Sequence, residues 1–183
     1  GRLVLAPEET LTIDAKLETD PGAGGRGAEV DISGAAFEIV SDTTVTVPQG
    51  TIQLTADELT NLNAASLLIG GTRTDNADGT TSLHITSDSI IIANDAAHPL
   101  SAPELVFAVD GSGAGITVED GASIIATGTA TNVRTGDYII DGNDGMTGQG
   151  AVLRVSSGPQ RQVTREHIDQ GADTGFLNVG AAD

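Results

Sequence analysis

The sequence predicts an all-β chain, and three observations carry that prediction. Short apolar runs rich in Val, Ile and Leu recur throughout, as in ELVFAVDGSGAGITVEDGASIIATG (104–128). Most alternate apolar with polar residues, the period of a strand with one buried face. Gly, Asp, Asn and Pro break the runs every few residues, which ends strands and leaves little room for helices.

Taken in order, the expected strands are LTIDAKL (11–17), AEVDISG (28–34), AFEIVS (36–41), TTVTV (43–47), TIQLTA (51–56) and SLLIGG (66–71). SLHITSDSIIIAN (82–94), ELVFAV (104–109), GITV (115–118), ASIIATG (122–128), DYIIDG (137–142), AVLRVSS (151–157) and FLNVG (176–180) complete the series. Two stretches compete as helices. In TADELTNLNAAS (55–66) Asp57 is the expected cap of a turn or two, with Leu59 and Leu62 on one face. In TREHIDQG (164–171) a short turn is expected to end at Gly171. Neither is long enough to build a helical layer.

Composition narrows the architecture. Hydrophobic residues make up 38% of the 183, which separates the chain from acidic disordered sequences and suits one continuous core. Aromatics are only 2%, so that core must be aliphatic. Small aliphatics at quasi-regular intervals stack well on successive rungs of a parallel β-helix (β-solenoid) with short loop insertions. At roughly 20–25 residues per rung and about 4.8 Å between rungs, the length predicts about eight rungs and a rod about 40 Å long. The alternative is a β-sandwich, kept open by Asp-Gly pairs at 78–79, 110–111, 120–121, 141–142 and 144–145 that suit hairpins.

The formal charge is −18, with a sequence pI near 4.1. Such a field repels phosphate backbones and anionic bilayers, leaving divalent cations and basic surfaces as chemically suitable partners. Cysteine is absent, which would spare an exported chain thiol mispairing but is equally compatible with a cytosolic one. The opening GRLVLAPEET has no sustained apolar segment and reads as mid-protein sequence, so residues 1–183 are expected to be a single β-helix segment of something larger.

PELVFAVDGSGAGITVEDGASIIATG (103–128) resembles the "P-E-L … I-T-V … G-A-x-I-x-A-x-G" segments of filamentous haemagglutinin-like proteins. GAGGRGAEVDISG (22–34) is similar to their "G-G-R-G-G-E-V-D-I-S" stretch, and ASLLIGGTR (65–73) and GAVLRVSSG (150–158) resemble further phrases of large two-partner-secreted proteins. The likeness runs from about residue 22 to 180. It implies a right-handed parallel β-helix, export through an outer-membrane secretion partner, and a place on the Gram-negative cell surface or outside it. The implied role is that of a structural or adhesive rod meeting a host or neighbouring-cell receptor. The Asn-rich secretion-domain start of such proteins is missing here, so the resemblance implies an interior or C-terminal piece.

Chemistry-bearing positions are few. TRTDNADGTT (72–81) gathers Asp75, Asn76 and Asp78 as oxygen donors suited to calcium, yet an EF-hand count from Gly79 places Ile85 at the twelfth position, so a solvated turn is expected. DGNDGMTGQG (141–150), with Asp141 and Asp144, is similar to a calcium-binding Gly-Asp nonapeptide. Such sites need stacked copies and only one is present. A calcium-dependent assembly module is therefore a minor alternative, and no cofactor is expected. Asp14, Glu18, Glu29, Asp31, Glu38 and Asp42 are dense enough to supply the carboxylate pair of a polysaccharide-active β-helix enzyme. With 26 acids in the chain, close pairs also arise by chance, so no enzyme is expected. His84, His98 and His167 have no ligand spacing, and His84, between Leu83 and Ile85, is expected to point outward. Arg161 and Arg165, near Arg154, read as a charged surface turn. Loops able to meet partners are expected at 19–27, 72–81 and 94–104.

Overall fold

The computed structural model describes residues 1–14, 17–19, 21–23, 25–110, 113–128, 134–141, 150–166 and 177–180. The chain is predominantly β. It runs β1 (Arg2–Leu5), β2 (Glu29–Ile32), β3 (Ala36–Val40), β4 (Ile52–Thr55), α1 (Ala56–Asn61), β5 (Ser66–Ile69), β6 (Gly71–Asp75), β7 (Thr81–Ile85) and β8 (Ser89–Ala93). Next come β9 (Leu100–Ala102), β10 (Glu104–Asp110), β11 (Gly115–Val118), β12 (Ile124–Ala126), β13 (Tyr138–Asp141), β14 (Gly150–Ser156), β15 (Val163–Glu166) and β16 (Leu177–Val179).

These strands form three layers. A middle sheet has the order β1-β2-β5-β10-β14, a second sheet β16-β11-β8-β3-β4, and an outer sheet β15-β13-β7-β6, while β12 and β9 form a small pair. Most pairings are parallel and in register. In the middle sheet Val30 lies beside Leu67 and Leu67 beside Leu105. In the second sheet Phe37 lies beside Ile90 and Ile90 beside Ile116. Only β6–β7 and β10–β14 pair antiparallel among the described strands.

The two inner faces of the middle and second sheets enclose the main core. Val30, Ile32, Leu67, Ile69, Leu105 and Phe107 from one side meet Phe37, Ile39, Ile90, Ile92, Ile116 and Val118 from the other. Each fully buried aliphatic contributes about 1.5–3 kcal/mol by leaving water. Leu59 and Leu62 near α1 and Leu100 and Ala102 of β9 close one flank. The other face of the middle sheet packs against the outer sheet through a smaller cluster: Leu68, Val106 and Ala108 against Leu83, Ile85, Tyr138 and Ile140. Burial on both faces explains why SLLI and ELVFAV read as unbroken apolar runs, whereas TSLHI of β7 alternates.

Local chemistry sets several boundaries. Helix α1 is capped by Thr55 and not by the expected Asp57: the Thr55 hydroxyl accepts from Glu58 N–H at 3.1 Å, and the Glu58 carboxylate accepts from Thr55 N–H at 3.0 Å. This is a capping box, signalled by Thr-x-x-Glu, and it satisfies two donors where Asp57 could satisfy one. The turn expected over 164–171 begins instead as β15, because Val163 and Thr164 find partners in Tyr138 and Ile139 of β13; residues 167–171 lie outside the described set. The stretch 43–47 and the described residues of 11–17 are not strands. Leu11, Ile13 and Leu17 nevertheless pack against the main core.

The segment expected as a loop at 72–81 is largely a hairpin, β6–β7, turning at Asp78-Gly79, where Gly79 takes φ +91°. The segment 94–104 contains β9, beside a corner held by Asn94, whose amide donates to the His98 carbonyl at 2.7 Å and the Ser123 carbonyl at 2.8 Å. Hairpin and helix take up chain without adding strands to the middle sheet. Among the described residues that sheet and the second one have five strands each, against an expected count of about eight levels. Among the described residues no helix is long and apolar enough to cross a membrane.

Candidate functional site

Between the middle and outer sheets, next to the smaller apolar cluster, lies a column of charged and polar side chains. Its centre is Asp31 on β2, with a fully buried side chain. Arg73 on β6 donates to it twice, from Nε to Oδ1 at 2.7 Å and from the backbone N–H to Oδ2 at 2.9 Å. Arg73 Nη1 also donates to Ser66 Oγ at 2.6 Å, and Ser66 donates onward to Glu104 Oε2 at 2.5 Å. Glu104 further accepts from Arg154 Nε at 2.7 Å and from the Tyr138 hydroxyl at 3.3 Å.

Register accounts for this convergence. Glu29 lies beside Ser66, and Glu104 lies opposite Ser156, so parallel and antiparallel pairing bring polar residues to one end of the middle sheet. The outer sheet then supplies the counter-charges. Arg161 was expected in a surface turn, yet its side chain is only 2% exposed: it lies 3.7 Å from Glu104 Oε1 and 3.5 Å above the Tyr138 ring centroid. Burial of a guanidinium is tolerable here because both an anion and an aromatic face receive it. Arg165 donates to the Gly150 carbonyl.

Electrostatics follow burial. The Tyr138 phenol is pushed up to about 12, by burial first and the Glu104 charge second, partly offset by Arg73, Arg161 and Arg154. Burial raises the Asp31 carboxyl although Arg73 and Arg2 pull it down, so desolvation outweighs pairing. Burial likewise lowers the Arg161 guanidinium, against the pull of Tyr138 and Glu104.

Toward the rim the column becomes wetter. Arg2 donates to Glu29 Oε2 from Nε at 3.0 Å and to Asp75 Oδ1 at 2.8 Å. Arg134 pairs with Asp75 and lies 3.9 Å from Glu29 Oε1, too far for a hydrogen bond. A cavity of about 230 Å³ opens there, lined by Arg2, Arg26, Glu29, Asp75 and Arg134.

The calcium candidates separate into different environments. Asp75 faces guanidinium groups rather than a cation cage. The Asn76 amide donates to Thr80 Oγ1 and Ser82 Oγ, and Asp78 accepts from Thr80 N–H at 3.0 Å, all within the β6–β7 hairpin. Asp141 ends β13, and Asp144 lies outside the described residues. Among the described residues no three His, Cys, Asp or Glu side chains converge to hold a metal ion.

The candidate acid pairs are also dispersed. Glu29 and Asp31 are engaged by arginines. Glu38 sits half-buried on the second sheet, its carboxyl raised by burial and then by Glu119. Asp42 is exposed and lowered by hydrogen bonds from Thr44, and Asp14 and Glu18 are exposed. His84 lies half-buried with Nε2 3.1 Å from Thr74 Oγ1; His98 Nδ1 is 3.1 Å from Asp95 Oδ1; His167 lies outside the described residues.

Residues that sequence reasoning passed over, Ser66, Arg73, Glu104 and Tyr138, are the ones brought together. Their one signal was placement: Arg73 and Glu104 are single charges at the ends of apolar runs. No family model, curated protein or solved structure matches the chain.

Proposed function

We propose that this chain is a right-handed parallel β-helix segment serving a structural or adhesive role in a large exported filamentous haemagglutinin-like protein. One observation carries the reading: apolar residues stack in parallel register across three strands of each of two sheets, Val30–Leu67–Leu105 in one and Phe37–Ile90–Ile116 in the other. After leaving the middle sheet the chain crosses to the second sheet, passes the β9–β12 side, and returns one strand further along. This order repeats as β5, β8, β9 and then β10, β11, β12. This repeated order supports a three-sided coil, in which the hairpin β6–β7 would be an insertion.

A scaffold of this kind acts through rigidity. Each strand closes its backbone hydrogen bonds on its neighbours, so the turns between strands can vary without loss of the core. The surface position, the outer-membrane secretion partner and the host or neighbouring-cell receptor rest on the resemblance in sequence.

Two measurements test the proposal. The chain has no cysteine, so paired labels are unambiguous. Glu38 and Thr117 flank Ile91 from either side in register, and spin labels on Glu38→Cys and Thr117→Cys should sit two strand spacings apart, about 10 Å at the backbone. Strong dipolar broadening is expected, and its absence ends the coil reading. Antibodies raised to the chain should label intact cells of the source bacterium; labelling only after permeabilisation ends the surface reading.

A further inference from the structure

We propose that the rim cavity between Arg26 and Arg134 binds a small hydroxylated carboxylate, the chemistry of a sugar acid. The cavity is anomalous in this molecule. Three guanidinium groups, of Arg2, Arg26 and Arg134, face two carboxylates, of Glu29 and Asp75, inside a chain of net charge −18.

The donors are unequally committed. Arg2 is spent on Glu29, Asp75 and the Arg73 carbonyl. Arg134 holds Asp75 through one amino group, while its buried Nε has no hydrogen-bond partner among the described residues. Arg26 is exposed at the cavity and makes no ion pair or hydrogen bond among the described residues. A planar carboxylate matches such a guanidinium fork with two parallel bonds.

The acids select what else the ligand carries. Glu29 uses Oε2 for Arg2, leaving Oε1 without a hydrogen bond among the described residues; Asp75 also reaches the cavity wall. Carboxylates accept bonds from hydroxyls and repel a second negative charge, so a monoanion with neighbouring hydroxyls fits better than phosphate. A volume of about 230 Å³ suits one monosaccharide-sized group. The assignment goes beyond the scaffold role and stands whether or not that role holds.

Isothermal titration calorimetry of the full chain at low salt tests it, with glucuronate as probe and glucose, acetate and inorganic phosphate as comparisons. Glucuronate should bind with a Kd in the millimolar range, at least about tenfold tighter than each comparison. Arg26→Ala should weaken glucuronate at least about tenfold without moving the melting temperature, because Arg26 supports no other polar contact among the described residues. Since Gly1 also lines the cavity, a chain acetylated at its amine should bind as before. Absence of glucuronate binding, unchanged affinity in Arg26→Ala, loss on acetylation, or phosphate binding as tightly as glucuronate would each overturn the proposal.

Discussion

Arg73 reaches across 42 residues of chain to close on Asp31 with both its guanidinium and its own backbone N–H, so a buried carboxylate is held by two donors of a single residue. The outer sheet is thereby tied to the middle sheet by charge as well as by apolar contact. Replacing Arg73 by Met should cost about 3 kcal/mol, because Asp31 is left buried with only the more distant Arg2 guanidinium, 3.8 Å away and not hydrogen-bonded, as counter-charge. Arg73→Met combined with Asp31→Leu should recover most of that loss. Urea midpoints of the two variants decide; a single-variant cost below about 1 kcal/mol would show that water reaches Asp31.

Stability should rise as pH falls from neutral through the folded values of Asp31 and Glu38. Asp31 and Glu38 both have carboxyls raised in the fold, chiefly by burial, so the fold binds their protons more tightly than the open chain does. Their contribution is complete below the ordinary carboxyl range and fades as pH climbs through their folded values. Asp42, Asp78 and Asp95 run the other way: hydrogen bonds from Thr44, from Thr80, and from Ser41 and His98 lower them, so what they contribute is lost as pH falls through their folded values. Relief of the −18 charge adds to the gain on mild acidification. Melting curves should pass through a maximum below neutral pH; a monotonic decline from pH 8 downward contradicts this assignment.

Tyr138 is the chain's one tyrosine, and tryptophan is absent, so ultraviolet titration reports its phenol without interference. In the folded protein the phenol should ionise at about 12, and in denaturant near the ordinary value of about 10. Stability from the neutral phenol is therefore full below the unfolded value and is lost as pH rises through the folded one. Glu104→Gln should bring the folded value down, since the Glu104 charge is the second cause of the shift.

Two glycines with left-handed backbones should respond differently to alanine. Gly70 has φ +102°, and a Cβ there would run into the Ala108 carbonyl oxygen of β10; Gly50 has φ +86° with open space around it. Gly50→Ala should cost about 1–2 kcal/mol of backbone strain alone. Gly70→Ala should cost more, because β5 and β10 must also move apart. Equal losses in urea melts would mean that the β5–β10 contact yields easily.

Much of the strand pattern was legible because it rests on local chemistry. AEVDISG, AFEIVS, SLLIGG and GITV all contain strands where alternation or β-branched runs placed them. The same local rules misjudged 43–47, whose threonines and valines suit a strand but gain no strand partner there, and the flanks of 72–81, expected as a loop although its Asp78-Gly79 pair was a hairpin signal. Pairing partners lie far away in sequence, and no window of neighbours records them.

For the polar column and the rim cavity, little could be read in advance. Composition and the spacing of aliphatics determined by themselves that the chain is β, aliphatic in its core and acidic in its field, since these depend only on residue type and immediate neighbours. Which arginine meets which acid was decided by tertiary structure alone. Register and the folding-over of the outer sheet carry Arg161 to Glu104 and Arg73 to Asp31, and attraction between charges acts only across distances that the finished fold creates.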